Sequence, residues 1–114
     1  MHHYAATIIR VIDGDTVVAD VDLGFRTFTR QTLRLYGINA PEIRGFEKQA
    51  GLAASEYLKT QLSRTPITVR TIRDRQGKYG RYLAVLFDAA GKNINREMIQ
   101  DGHAVPYELS LIHI

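Results

Sequence analysis

Cysteine is absent from the 114 residues, which excludes disulfides, thiolate-held zinc and a cysteine nucleophile. Histidine is sparse: the four histidines do not fall at metal-ligand spacing, and none is read as catalytic. No apolar run is long enough to span a bilayer, so an integral membrane protein is not expected. The first residues, MHHYAATIIRVIDGD, lack a basic start followed by an apolar segment. No signal peptide is therefore visible, and the chain as it stands is expected in the cytoplasm, its true compartment staying open. Internal repeats and low-complexity segments are also lacking.

What remains is ordinary for one globular domain: 45% hydrophobic and 24% charged residues. The net charge of +3 and a pI near 9.4 tilt the surface mildly toward polyanions. Where the charges sit matters more than their sum.

The first half reads as β structure. The segment from Ala5 to Ile12 is β-branched and apolar, and Asp13-Gly14-Asp15 supplies turn chemistry. Val17, Ala19, Val21 and Leu23 then alternate with Thr16, Val18, Asp20 and Asp22, the first face being the more apolar. After a turn at Leu23-Gly24, a long third strand is expected from Phe25 to Ile38. The period then changes. Phe46, Ala50, Ala53, Ala54, Tyr57, Leu58 and Leu62 recur at helical spacing, predicting an amphipathic helix of about four turns.

A fourth strand is expected from Ile67 to Arg73, a polar loop from Asp74 to Gly80, and a fifth strand from Tyr82 to Asp88. A second helix is expected to begin at Asn95 as its N-cap and to stop at Gly102. Tyr57 and Met98 are read as core. The order β-β-β-α-β-β-α fits a mainly β fold with α, a five-stranded OB-type barrel with two helices. The last six residues, LSLIHI, are the translation of CTG TCT CTT ATA CAC ATC, a transposon-end adapter used in sequencing libraries. Residues 109–114 are therefore expected to be a non-native tail, and residues 1–108 the domain.

Three segments carry chemistry. Asp13-Gly14-Asp15-Thr16 is a hairpin turn or a carboxylate presented to a cation, with Thr16 beside it. Arg34-Leu35-Tyr36-Gly37-Ile38-Asn39-Ala40-Pro41-Glu42 places a guanidinium at a strand end and oxygen donors in the turn beyond. Pro41 and Glu42 equally suit a plain approach to a helix. Arg73 to Arg81 is either a solvated basic loop or a substrate arm, with Arg81 anchored by the strand it opens and Tyr79 offering a ring for base stacking.

Taken together in this order, Asp-Gly-Asp-Thr, Arg-Leu with Asn-Ala-Pro-Glu, and Lys-Tyr-Gly-Arg resemble the staphylococcal nuclease (thermonuclease-like) family. The resemblance spans about Ala5 to Tyr107. It implies an OB barrel with a further C-terminal helix, expected to be missing from this sequence, and calcium-dependent cleavage of DNA and RNA phosphodiesters. Residue by residue, it implies Asp15 as a calcium ligand supported by Asp13, and the Ala40 backbone carbonyl as another ligand. Arg34 and Arg81 match phosphate-binding arginines, and Glu42 the general base. Lys78, Tyr79 and Tyr107 match substrate-contacting positions, Tyr107 with spacing one residue shorter. Asn39 departs from the family, standing where an aspartate ligand is usual, so weaker calcium binding is expected.

The implied function is thus a metal-dependent nuclease of low sequence specificity, with Ca2+ as cofactor, nucleic acid as substrate, and a monomeric state. The alternative is a catalytically weak or silent nucleic-acid-binding module on the same barrel. A purely structural reading would instead pair Arg34 and Arg81 with surface acids.

Overall fold

The computed structural model describes residues 3–43, 45–63, 65–76 and 82–107. Strands β1 (His3–Asp13), β2 (Thr16–Asp22) and β3 (Phe28–Leu35) form a continuous antiparallel meander. A two-residue strand β4 (Ile38–Asn39) follows, then a single 3-10 turn (Gly45–Glu47) leading into helix α1 (Lys48–Leu62). Strands β5 (Ile67–Gln76) and β6 (Tyr82–Phe87), helix α2 (Ile94–Gln100) and a two-residue strand β7 (Val105–Pro106) complete the order. The main strands close into a barrel in the order β1-β2-β3-β6-β5. Closure needs one parallel seam, β3 on β6, in which Leu33, Arg34 and Leu35 face Tyr82, Leu83 and Ala84. This is the expected OB-type barrel with two helices. Among the described residues, no helix is long and apolar enough to cross a membrane.

The alternation in β2 is realised: Val17 and Ala19 are fully buried and Val21 nearly so, pointing into the barrel with Leu33, Leu35, Val69, Ala84 and Leu86. Leu23 departs from that face and is exposed, because the chain has already turned. That turn is wider than expected. Leu23 and Thr27 are joined by a backbone bond of 2.8 Å, and the Asp22 carboxylate accepts from the Gly24 N–H at 2.7 Å. Phe25 to Thr27 therefore belong to the turn, and the third strand starts at Phe28 rather than Phe25. It also ends early, at Leu35, because Gly37 at φ 81 bends the backbone before Ile38 and Asn39 pair with Val105 and Pro106.

The first helix presents a different stripe from the expected one. Gly51, Ala54, Ser55, Leu58, Gln61 and Leu62 are buried, while Ala50 and Ala53 are exposed. The stripe is rotated because the helix is brought against the β1–β2 turn and the loop after β4, where only small groups fit. β5 likewise runs further than expected, through Asp74, Arg75 and Gln76. At α2 the cap is Asn93, not Asn95: the Asn93 side chain accepts from the Arg96 N–H at 3.0 Å. Asn95 lies inside the first turn and is buried. Its amide donates to the carbonyls of Tyr36 at 2.9 Å and Ala84 at 3.0 Å and accepts from the Leu86 N–H at 3.1 Å. One side chain thus ties α2, β6 and the end of β3 together. Met98 is fully buried as expected, whereas Tyr57 sits at the core's margin, stacked on His103 at 4.5 Å.

Candidate active site

Barrel closure brings the first two chemistry-bearing segments to one end of β2 and β3. In the antiparallel register Thr16 stands opposite Arg34, so the β1–β2 turn and the end of β3 share one rim. Asp15 is buried there, at 7% exposure. Its two carboxylate oxygens are divided between partners. Oδ1 accepts from the Thr16 hydroxyl at 2.9 Å, and Oδ2 accepts from the Ala40 backbone N–H at 2.8 Å. The Asp15 carbonyl accepts from the Leu35 N–H at 2.7 Å, locking the turn to β3.

Arg34 is the hub. Its Nη1 lies 3.3 Å from Asp15 Oδ2, and its Nη2 donates to Asn39 Oδ1 at 3.2 Å. Further bonds from Nη1 reach the carbonyls of Leu35 at 3.3 Å and Asp15 at 3.5 Å. Both side chains of the ion pair are sheltered, at 13% and 10% exposure, so water screens their attraction less than at an open surface. The partner acid belongs to the same cluster, not to the outer surface. The Tyr107 ring lies 5.9 Å from the Arg34 guanidinium, which brings another expected residue to the site. Backbone pairing secures it: the Tyr107 N–H donates to the Gly37 carbonyl at 2.8 Å, next to the β4–β7 pair.

Glu42 is exposed, beyond Pro41 on the loop that leaves β4. Asp13 is half-buried at the end of β1. Lys78, Tyr79 and Arg81 lie outside the described residues, as do residues 109–114; Tyr82, which opens β6, pairs with Leu33 next to Arg34.

Two glycines, Gly14 in the β1–β2 turn and Gly51 in α1, set the spacing of this rim. A β-carbon on Gly14 would come within 2.8 Å of the Ala54 Cβ and 2.9 Å of the Ala40 Cβ, so the turn, α1 and the loop after β4 meet at van der Waals contact. A β-carbon on Gly51 would meet the Glu42 carbonyl oxygen at 2.0 Å. The helix therefore rests directly on the backbone of Glu42. An isolated glycine inside a helical pattern was the available signal for this approach.

Asp15 and Asn39 meet at the Arg34 guanidinium and so bring an oxygen-only donor set to one rim, the donor type a hard cation takes. The Asp15 oxygens and Asn39 Oδ1 are already hydrogen-bonded, yet carboxylate and amide oxygens each keep further acceptor capacity. The set fits calcium in kind but is poor in charge, with Arg34 already placed against it. Among the described residues, no three of His, Cys, Asp and Glu cluster to hold a metal.

The chain matches the family described as staphylococcal nuclease homologue over residues 32–111. It is 32% identical over 113 residues to "Endonuclease YhcR" of Bacillus subtilis (strain 168), covering 91% of this chain and 9% of that protein. It is 31% identical over 101 residues to "Thermonuclease" of Staphylococcus hyicus, covering 85% of this chain and 56% of that one. An "Uncharacterized endonuclease" of Escherichia coli O157:H7 is 33% identical over 103 residues, covering 89% and 60% respectively. The chain thus spans less than two thirds of each of these relatives, and only a small part of the first. The matched stretch takes in Arg34, Asn39 and Glu42, and with it this chain belongs to the staphylococcal nuclease homologue family.

Proposed function

We propose that this domain is a phosphodiesterase that hydrolyses DNA, RNA or both with low sequence specificity, aided by a divalent cation, with calcium as the expected ion. The observation that carries the reading is the convergence on Arg34. A sheltered guanidinium held by Asp15 and Asn39, beside a tyrosine ring, forms a preset anion site. Three segments far apart in sequence build it, and the endonuclease and thermonuclease names of the relatives agree with it.

In this reading Arg34 donates to the phosphate oxygens on which negative charge grows, with Arg81 as the second donor. Removing one such donor typically lowers the rate by about 10²–10³. Glu42 takes the proton from the attacking water, a role worth about 10²–10⁴ in rate. Thr16 and the Ala40 N–H fix the Asp15 carboxylate, and Asp13 adds negative charge nearby. Lys78, Tyr79 and Tyr107 hold the nucleotide, Tyr107 by its place beside Arg34. Asp15, Asn39 and the Ala40 carbonyl would hold calcium, which when bound would supply Lewis-acid neutralisation of the phosphate.

The second reading, a binding module without turnover, draws on Asn39: an amide contributes no charge, and its oxygen is already shared with Arg34. Cleavage of single-stranded DNA in calcium against chelator separates the two. The enzyme reading expects products in calcium and none in chelator. Full cleavage in chelator would overturn the metal's role, and tight binding without products in either buffer would establish the binding module.

A further inference from the structure

A cleft of about 150 Å³ opens beside Asn39, walled by residues 39–41 and 102–105 with Glu47. We propose that it is a recognition subsite for an unpaired guanine base of the substrate strand, which rests on the reading that this chain handles nucleic acid.

The walls are rigid. The 102–105 wall is set by the end of α2, where the His103 N–H donates to the Met98 carbonyl at 2.8 Å and the Gly102 N–H to the Ile99 carbonyl at 3.0 Å. His103 is then fixed from behind: one face stacks on Tyr57, whose hydroxyl bonds the Asp101 carboxylate. The facing wall is pinned by pairing of Asn39 with Val105 and by the bond from the Ala40 N–H to Asp15. A preformed cleft loses little entropy when filled.

Its lining suits a flat heterocycle. Pro41 and Val105 offer apolar surface for a ring to lie on, Val105 being 59% exposed. The polar groups choose among bases. Glu47 is the residue capping α1, yet its carboxylate makes no capping bond to that helix. A carboxylate accepts two parallel N–H donors well. Guanine alone presents two adjacent donors, N1–H and the 2-amino group, on its pairing edge. Adenine and cytosine place an acceptor next to their amino group, and thymine and uracil flank one N–H with two carbonyls. Those acceptors would face the Glu47 carboxylate unfavourably. Because the edge used is the pairing edge, the base must come from a single strand. Asn39 belongs both to this cleft and to the Arg34 cluster, so the bound base would lie next to the phosphate site.

The test is random-sequence single-stranded DNA cleaved in calcium, with product ends sequenced, for wild type and Glu47→Gln. In parallel, fluorescence anisotropy in chelator compares a five-nucleotide oligo-dT with the same oligomer carrying a central dG. Wild type is expected to favour guanine about tenfold at one position, the discrimination of a good bidentate pair, and Glu47→Gln to bring it near parity. Each ratio compares two sequences on the same protein preparation, so partial unfolding of the variant cancels. Cleavage with no guanine excess, or an excess that Glu47→Gln retains, would overturn the subsite and leave the nuclease reading standing. Absence of cleavage with a Glu47-dependent dG preference in binding would uphold the subsite and sink only the nuclease. Absence of both cleavage and preference would overturn the subsite as well.

Discussion

The backbone of Gly51 faces the main-chain carbonyl of Glu42 so closely that a β-carbon would come within 2.0 Å of the oxygen. The residue proposed as general base is therefore positioned by a helix that carries no side chain at the point of contact. Helix propensity alone favours Ala over Gly by about 1 kcal/mol. Here the clash with fixed backbone should win, and Gly51→Ala is expected to destabilise by about 1–3 kcal/mol, the usual range for overpacking. Because a displacement of about 1 Å can cost 10² in rate, cleavage should fall further than stability explains. Urea unfolding and cleavage rates on the same samples check this; a stabilised variant with wild-type turnover would contradict it.

Asn95 is expected to be among the costliest polar residues to truncate. Asn95→Ala leaves the Tyr36 carbonyl and the Leu86 N–H without this partner, while the Ala84 carbonyl keeps its bond from the Tyr36 N–H at 2.8 Å. At about 1–3 kcal/mol for each of these two groups, the loss should reach about 2 kcal/mol or more. Thermal unfolding reads it directly. A cost near that of losing a helix cap, about 1 kcal/mol, would mean that water replaces the side chain.

Much of this was legible in the residues, and the misses have physical causes. The meander, the helix after it and the closing strands follow from period-two and period-3.6 patterns that are long enough to read. β4 and β7 hold two residues each, too few to show any period, yet they fix the loop that carries Asn39 and bring Tyr107 to Arg34. The stripe of α1 was misread because alanines look apolar wherever they stand. Gly51 and Gly14, chosen for closeness, carry no apolar signal at all. Asn95 reads as a cap because asparagine usually caps, while its real role depends on carbonyls distant in sequence. At the site, the Arg34 segment and Asp15 were readable as chemistry; their common rim follows only from the β2–β3 register.

Asn39→Asp should tighten calcium binding. The change adds one negative charge to a donor set poor in charge, and charge count governs affinity at calcium sites. Isothermal titration calorimetry with calcium alone should give a lower Kd for the variant, independent of turnover. Unchanged or weaker binding would contradict the placement of Asn39 among the ligands.

The Arg30–Asp20 pair on β3 and β2 predicts a pH effect of definite sign. A side-chain bond from Arg30, at 2.7 Å, holds the Asp20 carboxyl below the usual carboxylate range against a smaller opposing effect of desolvation. A lowered pKa means that the native state favours the charged form. The contribution is present above the unfolded carboxylate value, about 3.9, and is lost as pH falls through the lower native value. Wild type should therefore melt slightly above Asp20→Asn at neutral pH, with the gap closing in acid. A gap that widens in acid would contradict the pairing.

The central claim is that Asp15, Arg34, Asn39 and Glu42 are parts of one phosphodiester-cleaving site. Its most direct test is the rate of single-stranded DNA cleavage in calcium by wild type and by Glu42→Gln, an isosteric change at an exposed position. The account predicts calcium-dependent cleavage by wild type and a loss of about 10²–10⁴ in the variant with binding retained. A Glu42→Gln protein that cleaves as fast as wild type would contradict it.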